Sequence, residues 1–216
     1  MASEETKESE ISLRILITGI GGQGAIRATQ ILGWAAINQG YKVRTAETHG
    51  MAQRGGSVNC YMGIGNVNGV LFPKGMADIV LAFEEIEAMR SLEYANKDTV
   101  FLMSKTQAVP PGLYFKNIKY PSEEKIIKTI KKVSDNVFAI DAKQIAIDSG
   151  EPRAENVVML AYLYSTGLLP IDEDIFKKTV FSFVPKKALE PNKIAFETAL
   201  KKAKENKKII EKFAAH

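Results

Sequence analysis

Two glycine-rich segments of the chain carry residue types that could bind an anion. The first, GIGGQG at residues 19–24, matches the pattern G-x-G-x-x-G and lies between a predicted strand and a predicted helix. Glycine permits positive φ and close backbone approach, and the N–H groups that begin a helix attract phosphate. The candidate binding residues are Gly19, Gly21, Gly22, Gln23 and Gly24. A tight strand-to-helix turn without a ligand stays open as the alternative.

The second segment, ETHGMAQRGGS at residues 47–57, is a dense polar loop with one arginine among glycines. A guanidinium offers a planar fork of donors that suits phosphate or carboxylate, and the neighbouring glycines leave backbone N–H groups accessible. The candidate binding residues here are His49, Arg54, Gly55, Gly56 and Ser57. The alternative is that Arg54 only anchors the turn and His49 is an ordinary hydrogen-bonding side chain.

Neither segment predicts a catalytic residue or a metal site. Cys60 is the single cysteine of the chain and lies in an apolar alternation, so a disulfide, a thiolate metal cage and a His49–Cys60 catalytic pair are all disfavoured. Glu84, Glu85 and Glu87 follow an apolar run on a predicted charged helix, and we expect them to be solvated surface residues.

Glu47 supports a different hypothesis from the same turn. It follows the last glycine by about twenty residues, as does the acid that binds a ribose hydroxyl in dinucleotide-binding folds. On this hypothesis the chain is a stand-alone NAD(P)-binding reductase or redox sensor. A third hypothesis is a structural module whose loops only dock partners.

The predicted elements place both segments at the end of a sheet. Residues 13–18 and 41–47 are predicted strands on either side of a helix at 25–39, and such a unit favours a right-handed crossover in a parallel sheet. The alternation at 57–64, followed by turn residues and 70–72, predicts a hairpin. Further strands are predicted at 77–83, 99–103 and 137–140. Helices are predicted at 84–96, after Ser122, and at 156–166, 172–183 and 192–213.

This alternation predicts an α/β fold: an open, mostly parallel, Rossmann-like sheet with flanking helices, a β-hairpin insertion and a C-terminal helical section. We expect residues 1–12 to be a disordered tail and 13–216 to be a single domain. Within that domain the sheet core should span 13–150 and the helical section 151–216.

Composition limits the partners. The chain has 29 basic and 25 acidic residues and a net charge of +4, with much of the excess in the helix-like stretch at 201–212, which is typical of a solvated helix face and not of a nucleic-acid site. A polar, acidic N-terminus and the lack of an apolar run of about 18 residues predict a cytoplasmic protein without a membrane span.

The two glycine-rich segments together resemble a known family. GIGGQGAIRATQILGWAA followed by ETHGMAQRGGSV is similar to the γ-type subunits of 2-oxoacid:ferredoxin oxidoreductases, and HGMAQRGGSV resembles the β subunits of the indolepyruvate type. Further matches are ADIVLAFE at 77–84, NVVML at 156–160 and NKIAF at 192–196, so the resemblance covers about 13–200. One departure is MGIG at 62–65, where relatives often have V-R-I-G.

The resemblance implies a non-catalytic subunit of an enzyme that converts a 2-oxoacid, coenzyme A and oxidised ferredoxin to acyl-CoA, CO2 and reduced ferredoxin. It implies no cofactor held by this chain alone, with thiamine diphosphate and iron–sulfur clusters in the catalytic partner subunits and coenzyme A as a shared ligand near the two glycine segments. Ferredoxin is then reached through the complex, and a homodimer of the isolated chain stays open.

Overall fold

The structure is a computed structural model that describes residues 11–49, 55–108 and 119–205. Within these residues, six strands form one sheet in the order β2-β3-β1-β4-β5-β6. The strands are β1 (Ser12–Ile20), β2 (Val43–His49), β3 (Ser57–Gly65), β4 (Ile79–Ala82), β5 (Val100–Ser104) and β6 (Val137–Ile140). β3 is antiparallel to both of its neighbours, and the other five strands run in one direction. The predicted open, mostly parallel α/β sheet is confirmed.

Seven α-helices accompany the sheet in the described part of the chain. They are α1 (Ala25–Asn38), α2 (Glu85–Arg90), α3 (Glu123–Ile130), α4 (Ala142–Asp148), α5 (Glu155–Tyr164), α6 (Glu173–Ser182) and α7 (Leu189–Glu205). Short 3-10 turns at Ser91–Tyr94, Pro152–Ala154 and Lys186–Ala188 complete the order. Ser122 caps α3 through its side chain, as predicted, by accepting from the Lys125 N–H.

The helices cover both faces of the sheet. Successive residues of a strand point to opposite faces, so Ile15 and Ile17 pack with α1 and α4–α7, while Leu16 packs with α2 and α3. Because both faces are covered, the central strands consist of continuous apolar residues, and all four residues of β4 are buried. The C-terminal helices therefore belong to the same core as the sheet.

The hairpin partner differs from the prediction. β3 pairs with β2, with Val43 opposite Ile64, and residues 70–72 form no strand. Phe72 turns inward instead, is 4% exposed and packs edge-on against Tyr61, with ring centroids 5.4 Å apart. Phe72 is therefore buried by contact with an aromatic ring and not by the strand pairing that its apolar character predicted.

The predicted crossover also differs in its neighbours. β2 runs in the same direction as β1, but β3 lies between them. The two strands of the strand–helix–strand unit are therefore parallel without being neighbours in the sheet. At the amino end, Ser12 already pairs with Gly65, so the sheet begins inside the stretch that we expected to be a tail. Residues 1–10 lie outside the described residues.

None of the described helices combines the length and apolar character needed to cross a bilayer.

Candidate functional site

The glycine turn after β1 is held in shape by Gln23. Its Oε1 accepts from the Ile20 N–H at 2.7 Å, and its Nε2 donates to the carbonyl of Phe83, just after β4, at 3.2 Å. Gly22 and Gly24 have φ of 108° and 91°, which other residues adopt only with strain. The Gln23 side chain therefore joins the ends of β1 and β4, and its own N–H already bonds to the Ile20 carbonyl at 3.0 Å.

The fold brings the two glycine-rich segments together. Ile20 pairs with Ser57 across β1 and β3, and the Gly21 N–H donates to the Gly56 carbonyl at 2.9 Å. The second segment reaches this point because it connects β2 to β3, and the start of antiparallel β3 lies beside the end of β1. The sequence predicted that both segments lie at the end of the sheet, and a backbone hydrogen bond joins them there.

A pocket of about 300 Å³ opens beside this junction. Its walls are the glycine turn, the first turn of α1 and Val58. No side chain caps α1, and in the described residues no protein acceptor bonds the amides of Gly22, Gly24 and Ala25. These donors and the positive end of the helix dipole make the pocket suitable for an anionic group.

Arg27 borders this pocket and was not among the residues that the motif predicted. Its guanidinium lies 4.9 Å from the centre of the Phe183 ring and donates to the Phe183 carbonyl at 3.1 Å. It also borders an adjoining cleft of about 390 Å³. A cation in the first turn of a helix opposes the helix dipole, and an anion bound there would reverse this cost. An arginine in the first turn of a predicted helix was therefore the sequence signal that could have identified Arg27 as a binding residue.

Ser57 bonds to a buried carboxylate. Its hydroxyl donates to Glu87 Oε2 at 2.5 Å, and Glu87 is only 4% exposed. Glu84 and Glu85 are each 1% exposed, so the prediction that these three acids are solvated was wrong. The reason is that they begin a short helix packed across the end of β4, where their oxygens accept from Ala108 N, Tyr120 Oη and Gln107 Nε2. Burial raises the pKa of Glu85 and of Glu87 above the usual value.

The remaining predicted residues of the second segment lie within or beside residues 50–54, which fall outside the described residues. The backbone of His49 ends β2 opposite Val58, and Gly55 has a φ of 77°. Arg54 falls in residues 50–54, outside the described residues. Gly19 lies beside Phe83, and a methyl group at position 19 would be 2.9 Å from the Phe83 Cβ. The absence of a side chain at Gly19 therefore allows the ends of β1 and β4 to approach each other.

The geometry does not support the dinucleotide hypothesis. Glu47 lies on β2, and β3 separates β2 from β1. Two strand spacings of about 4.8 Å each put β2 roughly 10 Å from β1. In dinucleotide-binding folds the ribose-binding acid follows the strand next to the glycine turn.

The described part of the chain contains neither a reactive thiolate nor a cluster of metal-ligating side chains. Burial raises the pKa of Cys60 to about 11, and the side chain is fully buried, so at neutral pH it is an apolar core thiol. No group of three or more potential metal-ligating side chains occurs among the described residues.

Comparison with known proteins gives consistent results. Residues 14–202 match the model of the family "Pyruvate ferredoxin/flavodoxin oxidoreductase". The chain is similar to "Indolepyruvate oxidoreductase subunit IorB" of Pyrococcus horikoshii, with 39% identity over 88% of this chain and 96% of that protein.

Solved structures share the fold. The γ subunit of a keto/oxoacid ferredoxin oxidoreductase from Geobacter sulfurreducens matches with a TM-score of 0.64 and 23% identity, over 88% of this chain and 98% of that one. A 2-oxoglutarate:ferredoxin oxidoreductase from Magnetococcus marinus, solved with 2-oxoglutarate, coenzyme A and succinyl-CoA bound, matches with a TM-score of 0.67 and 21% identity, over 91% of this chain and 32% of that one.

Proposed function

Because this chain belongs to the pyruvate ferredoxin/flavodoxin oxidoreductase family, we propose that it is the non-catalytic subunit of a 2-oxoacid:ferredoxin oxidoreductase of the indolepyruvate or aryl-pyruvate type. The complete enzyme would release CO2 from the 2-oxoacid, transfer its acyl group to coenzyme A and pass two electrons to ferredoxin. Similarity to an indolepyruvate oxidoreductase subunit over nearly the full length of both chains supports the subtype.

The proposal places the redox and decarboxylation chemistry in catalytic partner subunits. The sequence has a single cysteine, so it lacks the set of thiolates that holds an iron–sulfur cluster. Thiamine diphosphate held by a partner subunit would supply the electron sink that decarboxylation of a 2-oxoacid requires. We assign no bond-breaking residue to this chain.

The role proposed for this chain is to bind phosphate groups of coenzyme A at the glycine turn. The observation that carries this proposal is the 300 Å³ pocket, which Gly22, Gly24, Ala25 and Arg27 line and where the amides at the start of α1 have no protein acceptor among the described residues. Arg54 would add a second guanidinium from the neighbouring loop. Gln23 and the amide of Gly21 would shape the turn, because their bonding groups already have protein partners.

Substitution of the two arginines tests the coenzyme A site in the assembled enzyme. Arg27→Ala and Arg54→Ala should each raise the KM for coenzyme A about tenfold or more, since a hydrogen bond to a charged group contributes about 1.5–3 kcal/mol. The KM for the 2-oxoacid should stay unchanged. Lys128→Ala, which removes an exposed cation on α3, is the matched control. An unchanged KM for coenzyme A in both arginine variants would remove this assignment.

Purification tests the subunit assignment separately. A tagged chain isolated from its host without oxygen should bring a larger partner with iron–sulfur absorbance and bound thiamine diphosphate. Screening aryl and branched 2-oxoacids with that complex then identifies the substrate. A chain that purifies alone and colourless at full expression contradicts the proposal, and NADH binding measured by fluorescence would then revive the dinucleotide hypothesis.

A further inference from the structure

The buried carboxylate of Glu87 connects the two glycine-rich segments to helix α2. One oxygen accepts from the Ser57 hydroxyl at 2.5 Å and the other from Arg90 Nη1 at 3.2 Å. Ser57 directly follows Gly56, whose carbonyl accepts from the Gly21 N–H at 2.9 Å. A continuous path of hydrogen bonds and one peptide link therefore runs from α2 to the glycine turn.

Glu87 is itself fixed in place. Its N–H donates to Glu84 Oε2 at 2.9 Å, which caps the start of α2, and its carbonyl accepts from the Ser91 hydroxyl at 2.8 Å. The other oxygen of Glu84 accepts from Ala108 N at 3.1 Å and Tyr120 Oη at 2.5 Å. These bonds fix the backbone of Glu87, so its carboxylate reaches Ser57 from a defined position.

Burial of the Glu87 carboxylate costs free energy unless hydrogen bonds compensate for the hydration that it loses. A carboxylate at 4% exposure loses hydration, and neither Glu87 nor Ser57 is among the residues that line the pocket beside the glycine turn. Its bond to Ser57 uses the single proton of that hydroxyl, so Ser57 cannot donate the same proton to a ligand. Both facts indicate that Glu87 and Ser57 orient the loop and do not contact the anion.

We propose that Glu87 is a positioning residue, which holds the Gly56–Ser57 end of the second segment against the glycine turn through Ser57 and so sets the spacing of the coenzyme A phosphate donors. This inference rests on the proposed coenzyme A site. It replaces the expectation that the Ser57 hydroxyl binds the phosphate directly.

Kinetics of the assembled enzyme test the inference. Glu87→Ala and Ser57→Ala should each raise the KM for coenzyme A about tenfold, with kcat at saturating coenzyme A and the KM for the 2-oxoacid unchanged. Glu87→Gln retains an oxygen that can accept from Ser57 and should recover most of the affinity. Because both residues act through one bond, the double variant should be no worse than either single variant. Glu93→Ala, which removes an exposed acid paired with Lys74, is the control.

The outcomes separate this inference from the proposed function. If Arg27→Ala raises the KM for coenzyme A and neither Glu87→Ala nor Ser57→Ala does, the positioning role is wrong and the coenzyme A site stands. If Arg27→Ala, Arg54→Ala, Glu87→Ala and Ser57→Ala all leave that KM unchanged, the coenzyme A site itself is wrong. If Glu87→Ala fails to assemble, Ser57→Ala decides alone, and an unchanged KM in that variant overturns the positioning role. Additive effects in the double variant would also overturn it.

Discussion

Gln23 shows how one polar side chain can define a glycine-rich turn. It bonds the Ile20 N–H and the Phe83 carbonyl, which are the ends of two adjacent strands. Gln23→Ala should therefore lower the free energy of unfolding by about 1–3 kcal/mol, because both groups lose their partner. Gln30→Ala, at an exposed position of α1, should change it by less than about 0.5 kcal/mol. Urea denaturation measures both, and equal values would show that the turn does not need the bridge.

Glu155 should make stability depend on pH. It accepts from Ser104 Oγ at 3.0 Å and Thr106 Oγ1 at 2.8 Å, and burial raises its pKa above the usual 4.5. The folded chain thus holds this proton more tightly than the unfolded chain, so this group's contribution to stability falls as pH rises from 4.5 through the higher folded value.

Glu155→Gln keeps an oxygen for both hydrogen bonds and removes the titration. Relative to the native chain, this variant should gain stability as the pH is raised from 4.5 to 8, measured by denaturant unfolding at several pH values. Glu124→Gln, at an exposed position of α3, is the control. A constant difference between Glu155→Gln and the native chain would contradict the proposed cause.

Helix α1 contains a glycine that the fold does not require. A methyl group at Gly33 would lie 3.5 Å from Met62 Cε and 3.7 Å from Val43 Cγ1, which are ordinary contacts. Alanine also has the higher helix propensity, so Gly33→Ala should stabilise the chain by about 0.5–1 kcal/mol. A rise of the urea midpoint at unchanged slope is the expected result, and a fall would mean that the contact with β3 is tighter than these distances indicate.

Strand β3 contains a glycine that the fold does require. A methyl group at Gly63 would lie 2.9 Å from Val67 Cβ, and Val67 is 2% exposed and cannot move aside freely. Gly63→Ala should destabilise the chain by about 1–3 kcal/mol, and the added Val67→Ala change should relieve part of that loss. Additive losses in the double variant would contradict the clash.

The described chain packs as one unit across residue 150, where the sequence predicted a change from the sheet core to the helical section of a single domain. The cluster that buries Ile15, Ile17 and Leu81 of the sheet also contains Leu160 of α5 and Phe196 of α7. Removing 151–216 would expose one face of the sheet to water. We therefore expect a fragment ending at residue 150 to lack cooperative thermal unfolding, followed by circular dichroism. A fragment with a sharp transition would show that the helical section is a separate domain.

The sequence alone determined the elements whose signals are local. The glycine turn between a buried strand and a helix was readable because φ preference and apolar periodicity depend on neighbours in the chain. The apolar run before Glu84 predicted a buried strand for the same reason. The order of motifs also sufficed to indicate the family, since two glycine-rich segments at a fixed separation are far more specific than either one.

Only the tertiary structure decided which distant groups meet. The insertion of β3 between β1 and β2 follows from strand pairing across the sheet, and no local pattern encodes it. The burial of Glu84, Glu85 and Glu87 was missed because a charged residue predicts exposure until partners such as Ser57 and Tyr120 arrive from other parts of the chain. Arg27 gained its place at the pocket in the same way, through the approach of Phe183. Local preference fixes the elements, whereas long-range hydrogen bonds and packing fix the site that they build.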